Sequence, residues 1–236
     1  MQNLNKIKED IIYQCILKGC DKKETCLRIG GHLEKMSPEY LRSLNKPNIV
    51  DKKAFIPRGI HMSPNTSNIK LMVIGDNPGP LDDKNLDAWT KNLQSPHFSV
   101  KEYLEETWRV YSEKTSGTAF HRNLKKILSM FEHVKLEEVY FTQNVKCGGF
   151  HGTETPCAIR SICQERWLKK EIEFLDPKGT LEFVIILGKN ALMSVVKLFE
   201  DYPKLHHKVI TIPHPSWPRF NKSIEKINEY IRKNYF

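Results

Sequence analysis

From Lys70 onward the chain switches repeatedly between two hydrophobic rhythms. Four short stretches, "KLMVIG" (70–75), "EVYFTQNV" (138–145), "LEFVIILG" (181–188) and "KVITIP" (208–213), are almost continuously apolar. Alternating apolar and polar residues would mark a strand with one wet face, whereas unbroken runs of this length mark strands covered on both faces, as in a parallel sheet. Between them, apolar residues recur at helical spacing: Phe120, Leu124, Ile127, Leu128 and Phe131; Leu168, Ile172 and Leu175; Leu192, Val195, Val196 and Phe199; Ile224, Ile227 and Ile231. Each set falls on one face of a helix. The alternation predicts an α/β protein, a three-layer α/β/α sandwich around a central four-stranded parallel sheet. Residues 1–69 have no long clean period. A helix-like start (Ile7, Ile11, Ile12, Cys15, Ile16) gives way to a stretch rich in Cys, Gly, Pro and Lys. A single domain over 1–236 is expected, with 1–69 as an appendage on a 70–236 core.

In open parallel sheets, ligands bind outside the carboxyl ends of the strands. The unusual residues of this chain sit at those ends: "GDNPGP" after the first strand, "QNVKCGGFHG" after the second and "HPSWPRFN" after the fourth. In the first turn, glycine lets a ligand approach the backbone and proline fixes its path. Asp76 offers a carboxylate, Asn77 an amide, and a plain tight turn is the competing reading. In "PHPSWP", His214 can donate a hydrogen bond to a developing anion and Ser216 can bind a phosphate, with prolines holding both rigid; a structural surface histidine is the alternative. Residues 81–119 form a long connection with no strong period and several aromatics, Trp89, Phe98, Tyr103, Trp108 and Tyr111. A connection of that length is expected to be a lid-like insertion.

Composition narrows the partners. The 236 residues carry a formal net charge of +9, which favours a polyanion such as nucleic acid. No run approaches a membrane span and "MQNLNKIKEDII" is too charged for a signal peptide, so a cytoplasmic protein with no membrane association is expected, as a monomer. In a reducing compartment the six cysteines read as metal ligands, catalytic groups or buried small hydrophobes rather than disulfides.

Taken in order, these pieces resemble the uracil-DNA glycosylase superfamily. "GDNPGP" is similar to the first motif of its single-strand-selective and mismatch-specific branches, with Asn77 at the motif asparagine, and "HPSWPRFN" is similar to its second motif, with His214 as the histidine near the uracil carbonyl. "FTQNVKCGGFHGTETPCAIRSIC" resembles instead the iron-sulfur (family 4) branch, where a Lys-Cys cysteine is followed by another sixteen positions on, here Cys147 and Cys163; "CLR" at Cys26 is similar to that branch's early cysteine. The resemblance runs from about Cys20 to Asn221 and implies the superfamily's fold.

It further implies a set of roles. Asn77 would orient the attacking water and Asp76, at the position of that branch's Glu, would activate it or stabilise the sugar cation; His214 would donate to the departing base. Gly79 would allow close approach, and Gly75 would be one of the base-binding residues. The base would be read by Gln143, which has the right position, or Asn144, which has the right residue type, and would stack on Trp89 or Phe98. Trp217, Arg219 and Phe220 could wedge into the helix, with Ser216 and lysines near strand ends on phosphates. Cys20, Cys26, Cys147 and Cys163 would hold a 4Fe-4S cluster, the first pair spaced C-x5-C instead of the branch's C-x2-C; Cys15 and Cys157 are the rival ligands. Zinc and free buried thiols are the competing readings.

The expected activity is that of a monofunctional DNA glycosylase starting base-excision repair, leaving an abasic site without strand cleavage, because no lysine sits in the motif turn. The alternatives are a catalytically weak iron-sulfur nucleic-acid-binding protein of the same fold and a small-molecule nucleoside hydrolase.

Overall fold

A computed structural model describes residues 21–22, 25–26, 56–57, 61–63, 68–76, 99–112, 119–148, 155–176, 179, 181–206, 208–217 and 220–235. In chain order the strands are β1 (Ile56–Pro57), β2 (Leu71–Gly75), β3 (Val139–Gln143), β4 (Cys147–Gly148), β5 (Phe183–Leu187) and β6 (Val209–Ile212). The helices are α1 (Val100–Ser112), α2 (Ala119–Leu128), α3 (Cys157–Cys163), α4 (Lys169–Leu175), α5 (Lys189–Glu200), α6 (Pro203–His206) and α7 (Phe220–Tyr235), with a π-helical turn, Gln164–Leu168, joining α3 to α4. Two compact units emerge: residues 1–60, 77–102 and 143–175 form one, and 61–76, 103–142 and 176–236 the other.

The second unit is built on the sheet. Its strand order is β3-β2-β5-β6, all parallel, so each of the four apolar runs became a strand within a residue or two of its expected limits. Leu71 lies beside Phe183 and Ile74 beside Ile186; Val184 pairs with Val209 and Leu187 with Ile212. Alternate residues serve opposite faces. Leu71, Val73, Ile185, Leu187, Ile210 and Ile212 join Leu124 and Ile127 of α2 and Phe220, Ile227 and Ile231 of α7 in one apolar cluster. Met72, Ile74, Val184 and Ile186, pointing the other way, are fully buried as well. Both faces are covered, which is why these strands read as continuous apolar runs. Each such side chain contributes about 1.5–3 kcal/mol by leaving water.

The connection over 81–119, read as a lid-like insertion with no strong period, holds helix α1 in its second half. Its start is a capping box: Ser99 Oγ accepts from the Glu102 N–H at 3.1 Å and Glu102 Oε2 accepts from the Ser99 N–H at 2.8 Å. The buried stripe of α1 includes Thr107 beside Leu104 and Trp108, and a threonine in that stripe hides the period from a hydrophobicity reading. Residues 81–98 lie outside the described residues.

The first unit buries Ile159, Trp167, Leu168, Ile172 and Leu175 and adds several polar links. β1 pairs antiparallel with β4, Ile56 opposite Gly148 and Pro57 opposite Cys147. Arg166 Nε reaches Asp21 Oδ1 at 3.1 Å, tying the described N-terminal residues to the π-turn. Among the described residues no helix is long and apolar enough to cross a membrane.

Candidate active site

Three strands of the sheet unit end in residues of chemical interest. Asp76 follows β2 and is half-buried. Gly188 follows β5 with φ of +87° and its N–H donates to the Ile212 carbonyl at 2.8 Å, extending the ladder toward the end of β6. Pro213 and His214 follow β6. A Cβ on Gly188 would lie 3.1 Å from His214 Cβ, so this position needs glycine both for its backbone and for the room it gives the histidine. Helix α2 completes the arrangement with two residues one turn apart. The Phe120 ring lies 5.3 Å from the His214 ring, tilted by 36°, and the buried Asn123 donates its amide to the Pro215 carbonyl at 2.7 Å. That bond joins positions 92 residues apart and pins the histidine loop to the helix.

These contacts set the state of His214. The Ser216 N–H donates to Nδ1 at 3.2 Å, so Nδ1 is an acceptor and the proton of the neutral ring sits on Nε2. One edge of the ring remains open to solvent, yet crowding by Phe120 and the strand ends strips water from the rest, and this desolvation lowers its pKa. The nearby Asp76 carboxylate acts in the opposite direction and only partly offsets it. His121, the neighbour of Phe120, is also held below the usual value, by burial first and by Lys125 second. The result is a neutral imidazole with an N–H free of its own backbone turn, close to a carboxylate at the open end of a parallel sheet. Such a group donates to an oxygen that gains negative charge without itself becoming an acid.

The first unit carries the other predicted residues. Gln143, last in β3, and Asn144, in the bend beyond, are both buried. The side-chain Oε1 of Gln143 has no hydrogen-bond partner among the described residues. An enclosed amide oxygen in that state is costly unless a water or a ligand completes it. Lys146 corrects the expectation that lysines near this strand end contact phosphates: it is wholly enclosed, and its Nζ donates to Glu171 Oε2 at 2.8 Å and to the Gln143 carbonyl at 2.5 Å. Of the cysteines, Cys163 is buried and its Sγ accepts the Lys146 N–H at 3.2 Å, Cys26 is half-buried, and Cys157 is exposed. No group of three or more metal-binding side chains occurs among the described residues.

Asn77, Trp89, Phe98, Arg219 and Cys20 lie outside the described residues, as does the side chain of Cys147. Ser216 is exposed and Trp217 keeps 44 % of its surface, while Phe220 has none and belongs to the core cluster, which removes it from the expected wedge. Sequence reasoning missed Phe120, Asn123 and Gly188 beside His214, and missed that Lys146 and Glu171 are a buried pair. A glycine immediately after an apolar strand was the available signal for Gly188; Phe120 belongs to the apolar face of α2, and its ring lies 5.9 Å from that of Phe141 as well as against His214.

No curated protein matches the chain significantly. The model of the uracil DNA glycosylase superfamily matches residues 63–233, a span holding all four sheet strands, Asp76, Gln143 and the His214 loop. With strand order, strand-end residues and match in agreement over most of its length, the chain belongs to the uracil DNA glycosylase superfamily.

Proposed function

We propose that the protein is a monofunctional DNA glycosylase that hydrolyses the N-glycosidic bond of uracil or a related deaminated base and so begins base-excision repair. The observation carrying this reading is the neutral His214, its Nδ1 occupied by the Ser216 N–H and its Nε2–H available beside Asp76. In such a reaction the bond between sugar and base breaks with its electron pair moving onto the base. The sugar becomes cationic, a base oxygen becomes anionic, and water adds to the sugar carbon as it gives up a proton. His214 donates to the base oxygen. Asp76 stabilises the sugar cation or takes the water's proton, and Asn77, an amide with no basicity, orients that water. Gln143 reads the base edge, its Oε1 having no partner among the described residues. Phe120 supplies an aromatic face at His214, a role the sequence reading gave to Trp89 or Phe98. Trp217, exposed next to the histidine loop, is the candidate wedge.

The spacing of the cysteines in the sequence is what suggests a thiolate-bound group. The Lys146 N–H to Cys163 Sγ bond, the Cys26 helical turn and the Asp21–Arg166 pair link the segments that carry Cys20, Cys26, Cys147 and Cys163. Burial favours Cys163 over the exposed Cys157. We assign these four to a 4Fe-4S cluster whose contribution is structural, because glycosidic hydrolysis transfers no electrons. Matching iron and sulfide content in the purified protein is the expected result; a colourless zinc protein overturns it.

The activity is tested by base release from uracil-, hypoxanthine- and xanthine-containing single strands and duplexes. Expected are an abasic product with an intact strand and affinity that falls steeply with salt. Absence of release from every substrate, or a His214→Ala variant as active as wild type, overturns the reading.

A further inference from the structure

We propose that the buried Lys146–Glu171 pair is a positioning element that holds the reading edge of Gln143 and so governs which base is accepted. The inference rests on Gln143 as the base-recognition residue and goes beyond it by naming what fixes that residue.

Both charged side chains have no exposure at all. Burying an ion pair costs several kcal/mol per ion before compensation, and apolar replacements are commonly as stable or more so; the pair is poorly explained as a stabilising device. Its geometry is directional instead. The ammonium has three donors, of which one goes to Glu171 Oε2 and one to the carbonyl of Gln143, while the Lys146 backbone N–H goes to Cys163 Sγ. The lysine thus grips the last residue of β3 from three positions downstream. Fixing that carbonyl fixes the direction in which the long, rotatable Gln143 side chain leaves the backbone. Its Oε1, enclosed and without a partner among the described residues, is the atom whose placement then matters.

The π-turn makes the grip possible. Cys163 and Glu171 are eight residues apart. In an uninterrupted α-helix, at about 100° per residue, they would be offset by roughly 80° around the axis. The π-turn between them, in which the Lys169 N–H reaches the Gln164 carbonyl five residues back, spends an extra residue and brings the two side chains onto nearly one line. Both then face Lys146, one holding its backbone and the other its ammonium. A helical defect placed between two residues that meet the same partner is a register adjustment.

The test uses the full-length protein with its metal content intact. A Lys146→Met/Glu171→Leu double variant removes the grip but leaves no buried charge behind, and is expected to fold. In a panel of base substrates, the ratio of kcat/KM between the best and second-best released bases should fall by about tenfold or more, with kcat on the best base within about threefold of wild type. Hydrogen exchange of the 143–148 backbone should accelerate by about tenfold relative to wild type. An active wild type with an unchanged ratio in the variant, or unchanged exchange in this segment, overturns the proposal. If wild type releases no base at all, the glycosylase reading fails separately and exchange alone decides whether the pair holds the segment. Should the double variant not fold, Glu171→Gln is read by the same two measurements.

Discussion

Around the sheet the enclosed positions are chiefly apolar, Leu71, Val73, Ile185, Leu187 and Ile210 among them, whereas the other unit encloses Gln143, Asn144, Lys146, Thr155, Arg160 and Glu171 beside its apolar Ile159, Trp167, Leu168 and Ile172. The two kinds of contact work by different physics. Apolar contact is non-directional and tolerates a change of shape at the cost of a methylene or two. A polar interior holds only when each group has its partner, and removing one leaves the other desolvated. The sheet supplies a platform for the strand-end residues, and the buried polar contacts of the other unit fix the groups they join.

That contrast can be broken by truncation. Glu171→Ala, which strands the Lys146 ammonium, should cost about 3–5 kcal/mol of unfolding free energy by denaturant titration. Ile185→Val, at an equally buried sheet position, should cost about 0.5–1.5 kcal/mol in the same assay. Equal losses would erase the distinction. His214→Ala separates platform from chemistry: base release should drop by about 10²–10³, while stability stays within about 0.5 kcal/mol. Asn123→Ala tests whether the platform also relies on one directional bond. Losing the amide that holds the Pro215 carbonyl should destabilise by about 1–3 kcal/mol and slow base release through a displaced His214, read as reduced kcat with retained DNA affinity.

The smallest effect is electrostatic. His214 and His121 are both held below the ordinary histidine value of 6.5, so the unfolded chain binds their protons more readily than the folded one. Their neutral forms contribute stability that is complete above that value and is lost as pH falls through the depressed folded pKa values. In thermal melts, His214→Asn should lose less stability than wild type on going from neutral to mildly acidic pH. A steeper loss in the variant would reverse the sign of this assignment.

How much of this was legible in the sequence follows from the same contrast. The four strands and the helices after them announced themselves because an interior made of Leu, Ile, Val and Phe leaves a periodic trace. His214 and Asp76 were legible because they sit at strand ends beside proline and glycine. Lys146 and Glu171 were not, since a lysine in a loop and a glutamate in a charged helix look like surface residues, and only the π-turn turns Glu171 inward. The start of α1 carried a readable Ser-x-x-Glu signature, yet Thr107 in its buried stripe obscured the period. Phe120 served the core pattern and the site together, and a pattern reading registers only the first.

One consequence follows from the Asn123–Pro215 bond and the strand ends it joins. Asp76, Asn123, Gly188 and His214 come from four distant stretches of chain, and none of their mutual contacts is local. Parallel pairing of this kind closes long loops before any contact rewards them, which makes it slow. Helices α2 and α7 can acquire their hydrogen bonds early, but the histidine meets its carboxylate only when β2, β5 and β6 have all found register. The meeting of His214 with Asp76 is therefore tied to completion of the sheet, and any variant that slows or shifts strand register acts on this pair as well.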